Sequence, residues 1–328
     1  MASTIKDVAK RAGVSTATVS RVINGDPRIS SKTKEKVLIS IRELDYKINN
    51  IARSLKTNKT HTIGFICPEL ANTFFMTVAK GVEDELRKYG YSVIVCNSNE
   101  SVEEEKERIT LLLEKCVDGV IIIPASHSGS HFKDLTEQGI PVVLADRLVE
   151  DFSSDAVLVD NINGSYAVIE HLINSGYRRI GYIGGDIRLT SAKERDEGYK
   201  RALRDYLIPI DDNIIKYGDY HKQSGYDKMR ELMEEKDPPE IVFISNYYMH
   251  VGATKFLIEQ KEANRRNVAI ASFDDMELAS LLEFCKVLVS QPMLEIGNKA
   301  AGMLIQRIND SKDHEPQIIR LKTQLIVK

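Results

Sequence analysis

The sequence predicts a small all-α head of three short helices, followed by an α/β body of two Rossmann-like parallel-sheet subdomains. Three observations carry that prediction. Residues 1–60 hold 13 Lys/Arg against 5 Asp/Glu and show helical apolar spacing, whereas the rest of the chain carries 32 basic and 43 acidic side chains. From residue 61 onward, short apolar runs alternate with helical stretches. Those runs are nearly continuous rather than alternating, the pattern of strands covered on both faces and hence of parallel sheets between helices. At 328 residues, 42% of them hydrophobic, the chain is long enough for two or three compact units.

In the head, Thr4 is placed to cap a helix whose first turn holds Asp7, favourable at the positive end of the helix dipole. Ile5, Val8, Ala9 and Ala12 then form one buried stripe. Gly13 ends this helix, Val14 plugs the turn, and Ser15 caps a second helix running to about Asn24, with Val19, Val22 and Ile23 inward. Two short helices across a glycine-containing turn make a helix-turn-helix. Asn24-Gly25-Asp26-Pro27 stops the second helix, and Ser30 or Ser31 opens a third with Val37, Leu38, Ile41 and Leu44 on one face.

The second helix is left half exposed, presenting Ser15, Thr16, Ala17, Thr18, Ser20 and Arg21. Hydroxyls at a helix N-terminus suit phosphate oxygens, and an arginine fork suits the O6/N7 edge of guanine. A basic head on an acidic body points to a polyanionic partner, although charge alone usually marks a solvated face. A three-helix packing module is the competing reading at this stage. Residues 49–59, NNIARSLKTNK, are polar and basic with one apolar pair, Ile51 and Leu55. By themselves they read as a linker, since so short a helix is marginal in water.

In the body, THTIGFIC, YSVIVC, DGVIII and PVVLA read as strands, with helices near 74–89, 102–116 and 131–139 between them. Ser101 and Glu104 form a capping-box pair at the second helix. After about residue 160 the alternation resumes with RRIGYIGG, IIKYG, EIVFIS and NVAIASFDD. Asn246 and Asp274 follow two of these strands, at the carboxyl ends where open α/β sheets bind ligands. Asn246 offers donor and acceptor together, and Asp274 can accept from two vicinal hydroxyls or, structurally, cap the next helix. Arg195, three residues before Gly198, has a rigid fork for a hydroxyl pair or a carboxylate.

Other classes find little support. GxSxG, GxxxxGK[ST], GxGxxG and metal-ligand spacing are absent, and the seven histidines are scattered. No enzyme, cofactor or metal is expected. Cys67, Cys96, Cys116 and Cys285 show no CxxC pairing and read as buried free thiols. No apolar run spans a membrane, and MASTIKDVAKRAG has no apolar leader segment, so a cytoplasmic protein is expected. A free small-molecule-binding protein is the second class, because the body alone would look the same.

IKDVAKRAGVSTATVSRVIN resembles the helix-turn-helix of the LacI/GalR repressor family. The likeness continues through VLISIRELDYKINNIARSLKTNKTHTIGFI, similar to the family's third helix, hinge and first body strand. ELANTFFMTVAKGVEDEL, KCVDGVIIIP, EHLINSGYRRIGYIGG, EGYKRAL and ASFDDMELAS resemble the same family and the related type I periplasmic binding proteins. The resemblance implies a head at 1–48, a hinge helix at 49–60 and a body at 61–328. Within the body it implies an N-subdomain at about 61–161 and 291–320, and a C-subdomain at about 162–290 and 321–328.

The family's function, as the resemblance implies it, is repression from a pseudo-palindromic double-stranded operator, controlled by a small-molecule effector. A sugar, sugar acid or sugar phosphate is expected ahead of a purine. Thr4, Ser15, Thr16, Ala17, Thr18, Ser20, Arg21, Asn24, Leu55 and Lys56 are the implied DNA-binding residues, with Arg21 reading a base and Leu55 wedging into the minor groove. Phe74, Asp146, Arg195, Tyr220, Asn246, Asp274 and Gln291 are the implied effector-binding residues, with Asp146, Gln291 and the Phe75 ring secondary. The family's usual Asn-Asp-x-Met is here Asn246-Tyr247-Tyr248-Met249, so an aromatic stands where a carboxylate is expected, which speaks for an acidic sugar paired with Arg195 over a plain neutral hexose. A basic loop, KEANRRN at 261–267, replaces the family's Gly-x-x-Ile-Pro-x-Asp. Helix 293–308 lacks the basic pair that grips a phosphoprotein in the carbon-catabolite member, so that partner is not expected. The sequence stops at Lys328 without the C-terminal heptads of the tetrameric member, so a homodimer is expected.

Overall fold

The computed structural model describes residues 3–23, 26–46, 59–260, 268–276, 284–310 and 315–328. The chain divides into two compact units, residues 1–60 and 61–328, each taken here by itself.

The first unit holds helices α1 (Ile5–Ala12), α2 (Thr16–Ile23) and α3 (Ser31–Glu43). Thr4 and Asp7 form a capping box in which the Asp7 N–H donates to Thr4 Oγ1 while Thr4 N–H and Oγ1–H donate to the Asp7 carboxylate. These hydrogen bonds hold the Asp7 carboxyl below its usual range. Gly13 closes α1 at φ +68°, a left-handed turn that favours glycine, and its N–H donates to the Ala9 carbonyl. Val8, Ala9, Val19, Val22 and Val37 form the centre, with Ile41 and Leu44 packed against it. Leu38 departs from expectation: it is 38% exposed. The inward line of α3 runs through Val37, Ser40, Ile41 and Leu44, and Leu38 lies about 100° away from it. Buried Ser40 is satisfied by donating to the Lys36 carbonyl.

The second unit contains two six-stranded sheets. Sheet 1 comprises β1 (Thr62–Cys67), β2 (Ser92–Asn97), β3 (Gly119–Ile122), β4 (Val142–Ala145), β5 (Asp155–Val159) and β11 (Ile318–Leu321), in the order β11-β5-β4-β3-β1-β2, all parallel. Sheet 2 comprises β6 (Ile180–Gly184), β7 (Ile215–Tyr217), β8 (Ile241–Ile244), β9 (Ala269–Phe273), β10 (Cys285–Ser290) and β12 (Gln324–Val327). Its order is β12-β10-β9-β8-β6-β7, with only β12 antiparallel to its neighbour. The chain therefore passes between the sheets after β5, after β10 and between β11 and β12.

The body helices are α4 (Thr73–Arg87), α5 (Val102–Glu114), α6 (Lys133–Thr136), α7 (Asn161–Asn174), α8 (Thr190–Asp205), α9 (Lys222–Glu234), α10 (Tyr247–Glu259) and α11 (Met293–Asn309). Central strands such as β1, β3, β4 and β8 are buried along nearly their whole length, as continuous apolar runs require. Four expectations need correction. β2 is not covered on both faces, because it is the sheet edge and Ser92 and Val95 are exposed. The capping box at α5 is half formed: Glu104 N–H donates to Ser101 Oγ, but the Glu104 carboxylate turns to Asn99 and Arg108. The helix expected at 131–139 is one 3-10 turn leading into α6, and the chain turns at Gly139 with φ +74°. Finally, Cys116 is exposed in the left-handed turn after α5, while Cys67, Cys96 and Cys285 are buried.

Candidate functional site

On the head, Thr16, Ala17 and Arg21 lie exposed along α2, and Thr18 and Ser20 are half-buried. The hydroxyls are less available than their residue types suggest. Ser15 Oγ accepts from Thr18 N–H at 3.1 Å and hydrogen-bonds the Thr18 hydroxyl at 2.9 Å. Thr4 is committed to Asp7. The outward chemistry of α2 therefore rests mainly on Thr16, Ala17 and Arg21. Asn24, Leu55 and Lys56 lie outside the described residues, as does the 261–267 loop.

In the body, both sheets reverse strand order at their first strand, β1 in sheet 1 and β6 in sheet 2. Ligands of open α/β folds bind at the carboxyl ends of strands beside such a reversal. Here a cleft with about 510 Å³ of empty space, its open mouth included, lies between the two sets of strand ends. Its lining includes all seven effector candidates: Phe74, Asp146, Arg195, Tyr220, Asn246, Asp274 and Gln291. Sequence reasoning missed Glu69, Asn72, Glu100, Arg147, Ser191 and His221, which line it too.

Most of these polar groups already hold one another. Arg147, 4% exposed, donates from Nη1 to Glu100 Oε2 at 3.2 Å and to the Pro124 carbonyl at 3.1 Å. Its Nε lies 3.3 Å from Asp146 Oδ2, and its guanidinium faces the Phe75 and Tyr220 rings at 6.0 and 5.9 Å. Burial alone would push this guanidinium towards the neutral form, but Glu100 and Asp146 outweigh it and raise its pKa. Burial pushes the Asp146 carboxyl up, against the opposing pull of Arg147 and Arg195.

Arg195 is equally engaged. It donates from Nε to Asn161 Oδ1 at 2.8 Å and from Nη1 to the Ser245 carbonyl at 2.6 Å, and its guanidinium lies 3.9 Å from the Phe273 ring centre. Asn246 spends both ends of its amide, since Oδ1 accepts from Met249 N–H to cap α10 and Nδ2 donates to the Tyr220 carbonyl. Asp274 accepts from Tyr247 N–H at 3.1 Å and from Gln291 Nε2. Gln291 Oε1 is buried and has no hydrogen-bond partner among the described residues. At the start of α10, Tyr248 Oη donates to the Ala71 carbonyl at 3.0 Å, and Tyr247 packs against the core cluster that contains Phe65, Phe75, Met276 and Leu288.

A helix-turn-helix head joined to a two-sheet body with a polar cleft defines a DNA-binding regulator that senses a small molecule. The family model described as periplasmic binding proteins and sugar binding domain of LacI family matches residues 60–326, and that of bacterial regulatory proteins, lacI family, matches residues 4–49. The ribose operon repressor of Escherichia coli (strain K12) is 34% identical over 93% of this chain and 93% of its own. The HTH-type transcriptional repressor PurR of Vibrio atlanticus (strain LGP32) is 33% identical over 99% of this chain and 97% of its own. Among solved structures, the transcriptional regulator CelR in complex with cellobiose superposes with a TM-score of 0.74 at 31% identity, over 99% of this chain and 98% of that one. The chain belongs to the LacI family. It is a transcriptional repressor with the family's sugar-binding type of body, and not an enzyme. Among the described residues no helix is long and apolar enough to cross a membrane.

Proposed function

We propose that this repressor works in the cytoplasm as a homodimer on a pseudo-palindromic operator, and that its effector is a neutral sugar held between the two sheets. The observation that carries the neutral reading is the pairing of the cleft's cations. Arg147 lies against Glu100 and Asp146, and Arg195 is taken up by Asn161, the Ser245 carbonyl and the Phe273 ring. Glu69, Glu100, Asp146 and Asp274 bring four carboxylates to a cleft with two guanidiniums. An acidic ligand would meet that excess in a low-dielectric site, whereas sugar hydroxyls can donate to Asp274 and Gln291 Oε1 while aromatic rings cover the apolar face. Contacts to Phe74 and Gln291 on one side and Arg195 and Asp274 on the other would favour one arrangement of the sheets, which is how a bound ligand shifts a two-state protein.

Calorimetry on the full chain tests the class: D-ribose, D-glucose and cellobiose against gluconate, glucose 6-phosphate and hypoxanthine. At least one neutral sugar should bind more tightly than every acidic or phosphorylated one. Tightest binding by gluconate, the phosphate or hypoxanthine would overturn the reading. Sedimentation at micromolar concentration checks assembly, and a monomer there would sink the homodimer.

A further inference from the structure

A line of polar groups runs out of the cleft and ends on the other sheet. Arg195 Nε–H donates to Asn161 Oδ1 at 2.8 Å. Asn161 Nδ2 in turn donates to Glu194 Oε2 at 3.1 Å. Glu194 receives both forks of Arg320, Nη1 at 3.0 Å on Oε2 and Nη2 at 2.7 Å on Oε1. Arg320 sits on β11, the edge strand of sheet 1, whereas Glu194 and Arg195 are neighbours on α8 of the sheet 2 half. Asn161 opens α7, two residues after the chain leaves β5 of sheet 1.

The geometry leaves Asn161 little freedom to act alone. It is 1% exposed, and a Cβ added to Gly198 of α8 would lie 2.3 Å from the Ile162 carbonyl. Helix α8 and the start of α7 are thus in backbone contact, and the amide is boxed between them. An asparagine amide has a roughly two-fold terminal torsion, so only its partners decide whether oxygen or nitrogen faces Arg195. Glu194 makes that decision together with the Val159 carbonyl, which also accepts from Nδ2 at 3.4 Å, because a carboxylate accepts and never donates when ionised. Arg320 in turn fixes Glu194, the bidentate fork adding directional constraint to the charge.

We infer that Arg320 and Glu194, acting through Asn161, are positioning residues for the effector site: they set the orientation of the Arg195 guanidinium from outside the cleft. This rests on the reading that the cleft is the effector site. Because the two ends of the line stand on different sheets, the grip of Arg195 on a ligand depends on how the sheets lie relative to each other.

Two readouts on the full-length protein test this. The first needs no ligand: ¹H–¹⁵N correlation of arginine Nε–Hε groups, with the Arg195 signal assigned by its loss in Arg195→Lys. In wild type its Hε should exchange slowly with water. Arg320→Leu and Glu194→Ala should speed that exchange about tenfold, the scale of one hydrogen bond lost. Arg320→Lys should fall between, and Glu194→Gln, which keeps an acceptor, should stay near wild type. The second is calorimetry with D-ribose, D-glucose and cellobiose, in which Arg320→Leu should raise the dissociation constant of the sugar that binds by about five- to tenfold. Unchanged Arg195 exchange in Arg320→Leu overturns the inference. If Arg320→Leu does not fold, the order wild type, Arg320→Lys, Glu194→Ala decides it, and equal exchange across those three overturns it. Failure of all three sugars to bind wild type would instead sink the neutral-sugar reading, leaving the exchange result to stand by itself.

Discussion

Glu100, Asp146, Tyr220 and Asp274 all line the cleft, and all hold φ between 54° and 73°. Left-handed backbone at a non-glycine residue costs on the order of 1 kcal/mol or more. Spent four times in one place, it turns the chain sharply where it leaves a strand and aims each side chain between the sheets. None of this was legible in the sequence. Asp274 and Asn246 could be placed from their positions after apolar runs, yet Arg147, adjacent to the chosen Asp146, was missed, since its partner Glu100 lies 47 residues away. At the same scale, Arg21 is the exposed side chain of α2 best suited to a guanine edge, so Arg21→Ala should cost about 1–3 kcal/mol of operator binding and relax preference at one base pair per half-site. Gel shifts over operator variants check this, and an equal loss on every sequence would contradict it.

His250 offers a pH test. It is fully buried, and neither ring nitrogen has a hydrogen-bond partner among the described residues. Burial, with the Lys328 charge adding to it, pushes its pKa down to about 3. The unfolded chain, with an ordinary histidine near 6.5, binds the proton first as pH falls. Stability is therefore complete above about pH 6.5 and declines below it, by up to about 1.4 kcal/mol per pH unit until the folded pKa is reached. Urea unfolding at pH 7, 6 and 5 should show this slope, and His250→Leu should flatten it. A histidine variant that retained the full acid slope would assign the effect elsewhere.

At the scale of elements, the helices pack through glycines in reciprocal pairs. A Cβ at Gly81 of α4 would lie 2.3 Å from the Leu294 carbonyl of α11, and one at Gly297 would lie 2.1 Å from the Val78 carbonyl. In the other half, a Cβ at Gly225 of α9 would lie 2.1 Å from the Met249 carbonyl, and one at Gly252 of α10 would lie 1.8 Å from the Lys222 carbonyl. Backbone meets backbone there, so no rotamer change can make room. Gly252→Ala should accordingly destabilise the body by about 1–3 kcal/mol in urea unfolding, despite the better helix propensity of alanine. It should also weaken effector binding, because α10 starts at the Asn246 cap beside Asp274. A stabilised Gly252→Ala would show that the helices can separate at no cost. These crossings explain what the sequence did and did not disclose. Apolar runs announced β1, β3, β4 and β8, whereas β11 and β12 carry charged or polar positions on sheet edges and escaped the reading, as did β5 and β10 despite their apolar runs. Helical glycines read only as weak helix formers, since their reason lies on another helix.

Over the whole molecule, the two recognition surfaces belong to different compact units, and residues 47–58, which link them in sequence, lie outside the described residues. The separation gives each mutation a distinct thermodynamic signature. Coupling between an effector site and a DNA site is reciprocal and is typically worth about 1–3 kcal/mol, or some 5–150-fold in affinity. Asp274 lines the cleft and accepts from Tyr247 N–H and from Gln291, so on the proposed reading Asp274→Ala removes a ligand contact while the head stays as it is. Operator affinity without effector should then stay within about twofold of wild type, and the effector-dependent change should vanish. Arg21→Ala should do the opposite, weakening the operator complex while the effector binds the DNA-free protein with unaltered affinity. Crossing both variants with and without sugar in one titration series measures the coupling directly. An Asp274→Ala protein that still responds fully to the sugar would move the regulatory site out of this cleft.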